Sequence, residues 1–225
     1  MPIREAEFLY REEMTEIPVN IAILGAWNPF IFTPEWVKKH LATSKESEVT
    51  MAISVGSNLP PKLTVEGVNI YPSSNVVILD FEGSGTCALC FKMVEVASKL
   101  ISLLGHTPLT AVGMNFRYFL DASKSNKITE LFSFEDSSKI DSNKYLLKSS
   151  EIRRTYSFKD VQLNLGIFTN SEKICVEFNF HLDSSDGAKI TEFLTQSKAK
   201  DFLESSESFL SNVYDLEVKC FDEQE

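Results

Sequence analysis

The stretch that decides the fold is Val112-Gly-Met-Asn-Phe-Arg-Tyr-Phe-Leu120, in the middle of the chain. Every second residue, starting at Val112, is large and apolar, which is the period of a β-strand with one buried face. Before it lie an apolar run over 76–81 and a helical pattern that ends at Gly105 and Pro108. After it come a weak helical segment, three strand patterns and a second long helical region. The stretch therefore begins the second of two segments with the same order of elements.

The two segments, 18–105 and 106–214, are each predicted to form a strand, a helix, three strands and a helix. The predicted strands are 19–24, 50–55, 63–70, 76–81, 112–120, 152–158, 160–169 and 173–182. Within 63–70 the apolar residues change parity, so Gly67 is interpreted as a β-bulge. The last helical region, 188–213, is predicted to break near Gln196. Residues 1–17 are interpreted as an N-terminal arm and 215–225 as an acidic C-terminal tail.

Strands that follow one another through short turns favour an antiparallel sheet. The predicted fold class is α+β: a duplicated unit that builds one curved antiparallel sheet with the helices on one face. The two halves share little residue identity, so the duplication is a hypothesis based on element order.

This element order resembles the TATA-binding-protein-like fold, in which two halves form one curved sheet backed by helices. The resemblance is one of topology and implies no DNA reading. The region from the apolar run over 76–81 to Val112-Gly-Met-Asn-Phe-Arg-Tyr118 is also similar to a sporadically distributed, uncharacterised bacterial family. That second resemblance covers less than a quarter of the chain and implies a fold but no chemistry.

Composition narrows the classes of function. The chain has 225 residues, of which 43% are hydrophobic and 24% charged, as in globular proteins. Its 22 Lys+Arg against 32 Asp+Glu give a net charge of −10, which argues against binding to nucleic acid or to anionic membranes. No apolar run is long enough for a membrane helix, and acids occupy the N-terminus where a signal peptide would be apolar. We expect a cytoplasmic protein whose four cysteines are free thiols.

Strand parity predicts one face of the sheet that carries directed hydrogen-bonding groups. In the second half this face comprises Asn115, Arg117, Gln162, Asn164, Glu177, Asn179 and His181. The first half is expected to add Ser54, Thr64, Glu66 and Asp80. One interpretation is a polar recognition surface. The alternative is an ordinary solvated face, or a face covered by the N-terminal arm or by the loop over 135–150.

A second candidate is the aromatic segment that contains Trp27, Phe30 and Trp36. Aromatic residues carry much of the energy of protein interfaces, so this segment is a candidate anchor for a protein partner. The alternative is a loop that packs under the edge of the sheet.

The third candidate is Cys87-Ala-Leu-Cys90, which follows a strand and opens a helix. It resembles the thioredoxin active-site segment, and a helix N-terminus would lower the pKa of a thiol there. However, no Trp precedes Cys87, and no Thr-Pro-Thr or Ile-Pro-Thr segment of that family's kind follows. The alternative is that the two thiols pack as small side chains.

These patterns together predict a non-enzymatic cytosolic module for protein interaction or self-assembly, which uses the polar face or the aromatic segment. No cofactor and no metal are predicted, since no zinc, Walker or nucleophile-elbow motif occurs. One alternative is a thiol-disulfide oxidoreductase that uses Cys87 and Cys90. Another is a binder of a small polar ligand through Arg117, Asn179 and His181.

Overall fold

A computed structural model describes residues 18–54, 59–81, 86–122, 125–133, 140, 144–145, 147, 149–169 and 173–221. The predicted arm over 1–17, most of the predicted loop over 135–150 and the end of the tail, 222–225, lie outside the described residues.

The described residues form nine strands and five α-helices. The strands are β1 (Val19–Gly25), β2 (Val49–Ala52), β3 (Lys62–Val65), β4 (Val68–Pro72), β5 (Val76–Phe81), β6 (Leu109–Asp121), β7 (Ser150–Phe158), β8 (Val161–Thr169) and β9 (Lys173–Asp183). The helices are α1 (Pro34–His40), α2 (Cys87–Leu103), α3 (Asn126–Glu130), α4 (Gly187–Phe193) and α5 (Gln196–Tyr214). The predicted break near Gln196 is confirmed, because the last helical region divides there into α4 and α5.

The nine strands form one antiparallel, curved sheet in the order β2-β3-β4-β5-β1-β6-β9-β8-β7. The α+β class and the antiparallel sheet are therefore confirmed. The two halves meet at the pair β1–β6. Outward from that pair the order is β5, β4, β3, β2 on one side and β9, β8, β7 on the other. The descent of the two halves from one duplicated unit stays a hypothesis.

The prediction of a single bulged strand over 63–70 is wrong. The segment forms a hairpin, β3–β4, whose two-residue turn is Glu66-Gly67 with φ of 49° and 82°. Two consecutive positive φ angles are the mark of a type I′ turn, which suits the twist of a tight hairpin. The change of apolar parity at Gly67 came from this turn. The first half thus has four strands after its first helix.

Glu66 is consequently not on the polar face, which is a second correction. Its carboxylate accepts hydrogen bonds from Thr43 N at 2.7 Å and from Ser47 Oγ at 2.6 Å, and it lies 3.0 Å from Lys92 Nζ on α2. These contacts hold the pKa of Glu66 far below its usual range, although desolvation opposes them. Glu66 therefore ties the segment after α1 to α2.

The core lies between the sheet and the helices. Val112, Met114 and Phe116 of β6 are fully buried there, as strand parity predicts. On the helix side the ring of Phe202 in α5 stacks on that of Phe180 in β9, with 4.3 Å between centroids. The buried apolar residues of the strands belong to one cluster on the helix side, so the opposite face of the sheet is the polar one.

The first residues of the predicted C-terminal tail pack against the molecule. Cys220 and Phe221 are buried, and the Phe221 ring lies 6.2 Å from that of Phe81. Residues 215–221 are therefore part of the folded unit, although their composition is acidic.

Candidate functional site

The predicted amides of the second half lie directly opposite one another on neighbouring strands. Asn115 of β6 pairs with Asn179 of β9, which pairs with Asn164 of β8, which pairs with Thr155 of β7. On its other side Asn115 pairs with Asn20 of β1. Because the pairing is antiparallel and without slip here, these side chains stand in one line across five strands.

The line continues through the first half of the sheet. Thr50 pairs with Thr64, Thr64 with Asn69, and Asn69 with Asp80. Ile21 pairs with Leu79, which places their neighbours Asn20 and Asp80 beside each other where the two lines meet. We call the complete line the polar row: Thr50, Thr64, Asn69, Asp80, Asn20, Asn115, Asn179, Asn164 and Thr155.

Hydrogen bonds join the second half of the polar row. Thr155 Oγ1 donates to Asn164 Oδ1 at 2.9 Å, and Asn164 Nδ2 donates to Asn179 Oδ1 at 2.9 Å. Asn179 Nδ2 donates to Asn115 Oδ1 at 2.7 Å, and Asn115 Nδ2 donates to Asn20 Oδ1 at 2.6 Å. All four bonds point the same way, so each polarises the next.

Gly113 leaves room for this chain of amides. A Cβ on Gly113 would stand 3.0 Å from Asn179 Nδ2, closer than most real contacts. A larger residue at position 113 would therefore push the Asn179 amide out of line.

The predicted charged residues flank the polar row. Arg117 Nε donates to Glu177 Oε2 at 2.6 Å, and His181 Nε2 lies 3.0 Å from Asp183 Oδ1. Rotation of the Asn20 amide by 180° would bring its oxygen to 2.9 Å from Arg117 Nη1. In that rotated form the Asn20 amide nitrogen would face Asn115 Nδ2, so the bond from Arg117 would replace the bond from Asn115 to Asn20. The structure brings all six predicted binding residues onto one face.

The centre of the polar row is withdrawn from solvent. Asp80, Asn69, Asn20 and Asn115 are 0%, 1%, 5% and 8% exposed, whereas Thr50 and Thr155 at the two edges are exposed. Buried amides are costly unless they are hydrogen-bonded, and here they bond to one another.

Asp80 is the charged member of the row. Its Oδ1 accepts from Asn69 Nδ2 at 2.8 Å and from Tyr71 OH at 3.4 Å. Its Oδ2 is buried and has no hydrogen-bond partner among the described residues. Desolvation raises the pKa of Asp80 to about 6, although the Asn69 bond and the charges of Lys62 and Arg117 act in the opposite direction.

Sequence reasoning missed Thr50 and Thr155 at the edges of the row, and it missed two of its buried amides, Asn20 and Asn69. Each is an amide between two buried apolar residues of a strand, Val19 and Ile21 in the first case. That pattern could have placed Asn20 on the polar face. Asn69 could not be placed there, because the predicted bulge at Gly67 gave its strand the wrong alternation. Thr64 is in the row as predicted, whereas Ser54 lies beyond the end of β2.

The three aromatic residues of the predicted anchor lie in different environments. Trp27 is buried, and its Nε1 donates to the Ile23 carbonyl oxygen at 3.0 Å. Trp36 is half-buried, with its ring 5.6 Å from that of Phe32. Phe30 is 89% exposed on a 3₁₀ turn. Of the three predicted anchors, Phe30 is thus placed to contact a partner, whereas Trp27 packs in the core.

The environment of the cysteines agrees with the expectation of free thiols and does not favour the oxidoreductase alternative. Cys87 is the first residue of α2 and is exposed, whereas Cys90 is buried, and all four cysteines are free thiols. Desolvation raises the pKa of Cys87, and it raises the pKa of Cys90 to about 12. The lowering of the Cys87 pKa that the oxidoreductase alternative requires is therefore not supported, because loss of hydration acts in the opposite direction. Such thiols are poor nucleophiles at neutral pH.

We expect iodoacetamide at pH 7.5 to label Cys90 and Cys220 in the native protein far more slowly than in urea, because both are buried with raised pKa values. Cys87 should react more slowly than free cysteine but faster than these two. Mass spectrometry of digests over time checks this order. Labelling of Cys87 faster than free cysteine would revive the oxidoreductase hypothesis.

The described part of the chain offers no group of three His, Cys, Asp or Glu side chains that could hold a metal ion. None of its helices has the length and apolar character needed to cross a bilayer. Comparison of the sequence with models of protein families gives no match, and comparison with curated proteins gives none either.

Proposed function

We propose that this chain is a non-enzymatic protein-interaction module of the cytoplasm and that its polar face binds a protein partner. The observation that carries the proposal is the polar row, a line of polar side chains with one member on each of the nine strands. An ordinary solvated sheet face needs no such line, since scattered Thr, Lys and Glu side chains are sufficient to make it hydrophilic.

The arrangement suits recognition because the row is rigid before binding. The amides of the row fix one another through bonds of 2.6–2.9 Å, so little side-chain entropy remains to be lost on association. Arg117, Glu177 and His181 remain partly exposed along the row, so that Arg117 and Glu177 present charge and His181 presents its ring nitrogens to a partner. Charged groups held in this way give specificity and orientation more than raw affinity.

Capture from native lysate with wild type and with Arg117→Ala/His181→Ala tests this proposal. We expect the double variant to lose the captured protein or to bind it at least about tenfold more weakly, because a truncated interfacial charge pair commonly has that effect. The matched control is His106→Ala/Lys189→Ala, which removes the same kinds of side chain from exposed sites off the polar face. Urea unfolding of each variant verifies that the fold is retained.

Two outcomes contradict the proposal. Equal binding by wild type and by the Arg117→Ala/His181→Ala variant would remove the polar face from the interaction. Loss of the partner in Phe30→Ala alone would move the interaction to the aromatic segment, where Phe30 is 89% exposed.

A further inference from the structure

We infer that Asp80 Oδ2 is the acceptor for a cationic donor, a guanidinium or a primary ammonium group, which the partner places on the polar face. The inference rests on the function proposed above and specifies the chemistry of the partner. It starts from an unbalanced feature of the row: Asp80 is fully buried, yet one of its carboxylate oxygens has no donor among the described residues.

The remainder of the row does not supply the missing donor. Asn69 Nδ2 and Tyr71 OH both approach Oδ1 of Asp80, at 2.8 and 3.4 Å. Asn20, the neighbour on the other side, bonds to Asn115 and in its rotated form faces Arg117. A buried acceptor without a donor is unfavourable, so a group that donates to Oδ2 recovers that energy.

Charge selects the kind of donor. Hydrogen bonds between ionised partners are about twice as strong as neutral ones. Arg117 is already paired with Glu177 at 2.6 Å, and desolvation still outweighs the charges of Lys62 and Arg117 at Asp80. The net charge of −10 further attracts cations toward this face.

Tyr71 stands beside Asp80 on the polar face. The bond from Tyr71 OH to Asp80 Oδ1 is long, at 3.4 Å, and this side chain is only half-buried. Ile78 and Lys62, which stand on the same face, are half-buried as well. Because Oδ2 is buried, a donor from the partner has to move one of these half-buried side chains to reach it.

The test uses the intact chain, with two-dimensional NMR of its side-chain amides. N-acetyl-arginine amide is titrated against its neutral isostere, N-acetyl-citrulline amide, and putrescine represents a small amine. We expect saturable shifts of the Asn69 and Asn20 amides with the arginine compound, and binding at least tenfold weaker with the citrulline compound. Asp80→Asn should abolish saturation, whereas Glu130→Gln, which removes a charge from an exposed helix position, should not.

The outcomes separate this inference from the proposed function. Equal shifts with the arginine and citrulline compounds would overturn the inference, and so would an unchanged titration of the Asp80→Asn variant. The absence of any saturable shift would also overturn it, because Oδ2 would then bind water only. If the Arg117→Ala/His181→Ala variant still loses its partner in that case, the proposed function survives without the inference. Saturable binding of putrescine that is lost in Asp80→Asn would support the Asp80 site, with a primary ammonium group as its cation.

Discussion

Replacement of Asn115 with alanine should lower the free energy of unfolding by about 2–4 kcal/mol, since each buried partner left unpaired costs about 1–3 kcal/mol. Asn115 stands at the middle of the polar row and is 8% exposed. It donates to Asn20 at 2.6 Å and accepts from Asn179 at 2.7 Å. Its removal therefore leaves one acceptor and one donor without a partner in a region that excludes most water.

Urea unfolding followed by circular dichroism measures this change. The control is Gln162→Ala on the same face, where the side chain is exposed and the change should stay within about 0.5 kcal/mol. The double variant Asn115→Ala/Asn179→Ala should cost less than the sum of the two single changes, because they break one shared bond. Additive losses, or equal effects of Asn115→Ala and Gln162→Ala, would show that the row is not a connected network.

The sequence was sufficient to predict the face on which these amides lie. Alternation in β6 and β9 is a local property of strands, since successive side chains must point to opposite faces. Asn115, Asn179 and Asn164 could thus be assigned to one face before their strands were known to be neighbours. Their exact opposition could not be predicted, because strand register depends on the packing of the whole sheet.

The errors have equally specific physical causes. A type I′ turn and a β-bulge both change the apolar parity of a strand, and Gly67 is compatible with either. The Cys87 thiol was judged from its place at a helix N-terminus, whereas its pKa is set mainly by desolvation from the tertiary fold. The burial of Trp27 is another tertiary effect, because its indole bonds back to the Ile23 carbonyl oxygen.

Replacement of Asp80 with asparagine should change the pH dependence of stability. Burial raises the pKa of Asp80 from 3.8 to about 6, so the folded protein holds this proton more tightly than the unfolded chain does. By linkage, the free energy of unfolding of the wild type falls as pH rises from about 4 through about 6, and this destabilisation persists above that range. Its full size is about 3 kcal/mol, because each pKa unit corresponds to about 1.4 kcal/mol.

The asparagine variant lacks this titration but places a new N–H near the position of Oδ2. That second effect is independent of pH, so the informative quantity is how the difference between variant and wild type changes with pH. We expect the difference to shift by about 3 kcal/mol in favour of the variant between pH 4 and pH 7.5, in urea unfolding at matched ionic strength. Glu130→Gln removes one exposed negative charge and should show no comparable shift. A constant difference across this range, or a shift in favour of the wild type, would mean that the Asp80 carboxylate is well solvated in the folded protein. In that case Asp80 would not be a buried acceptor on the polar face.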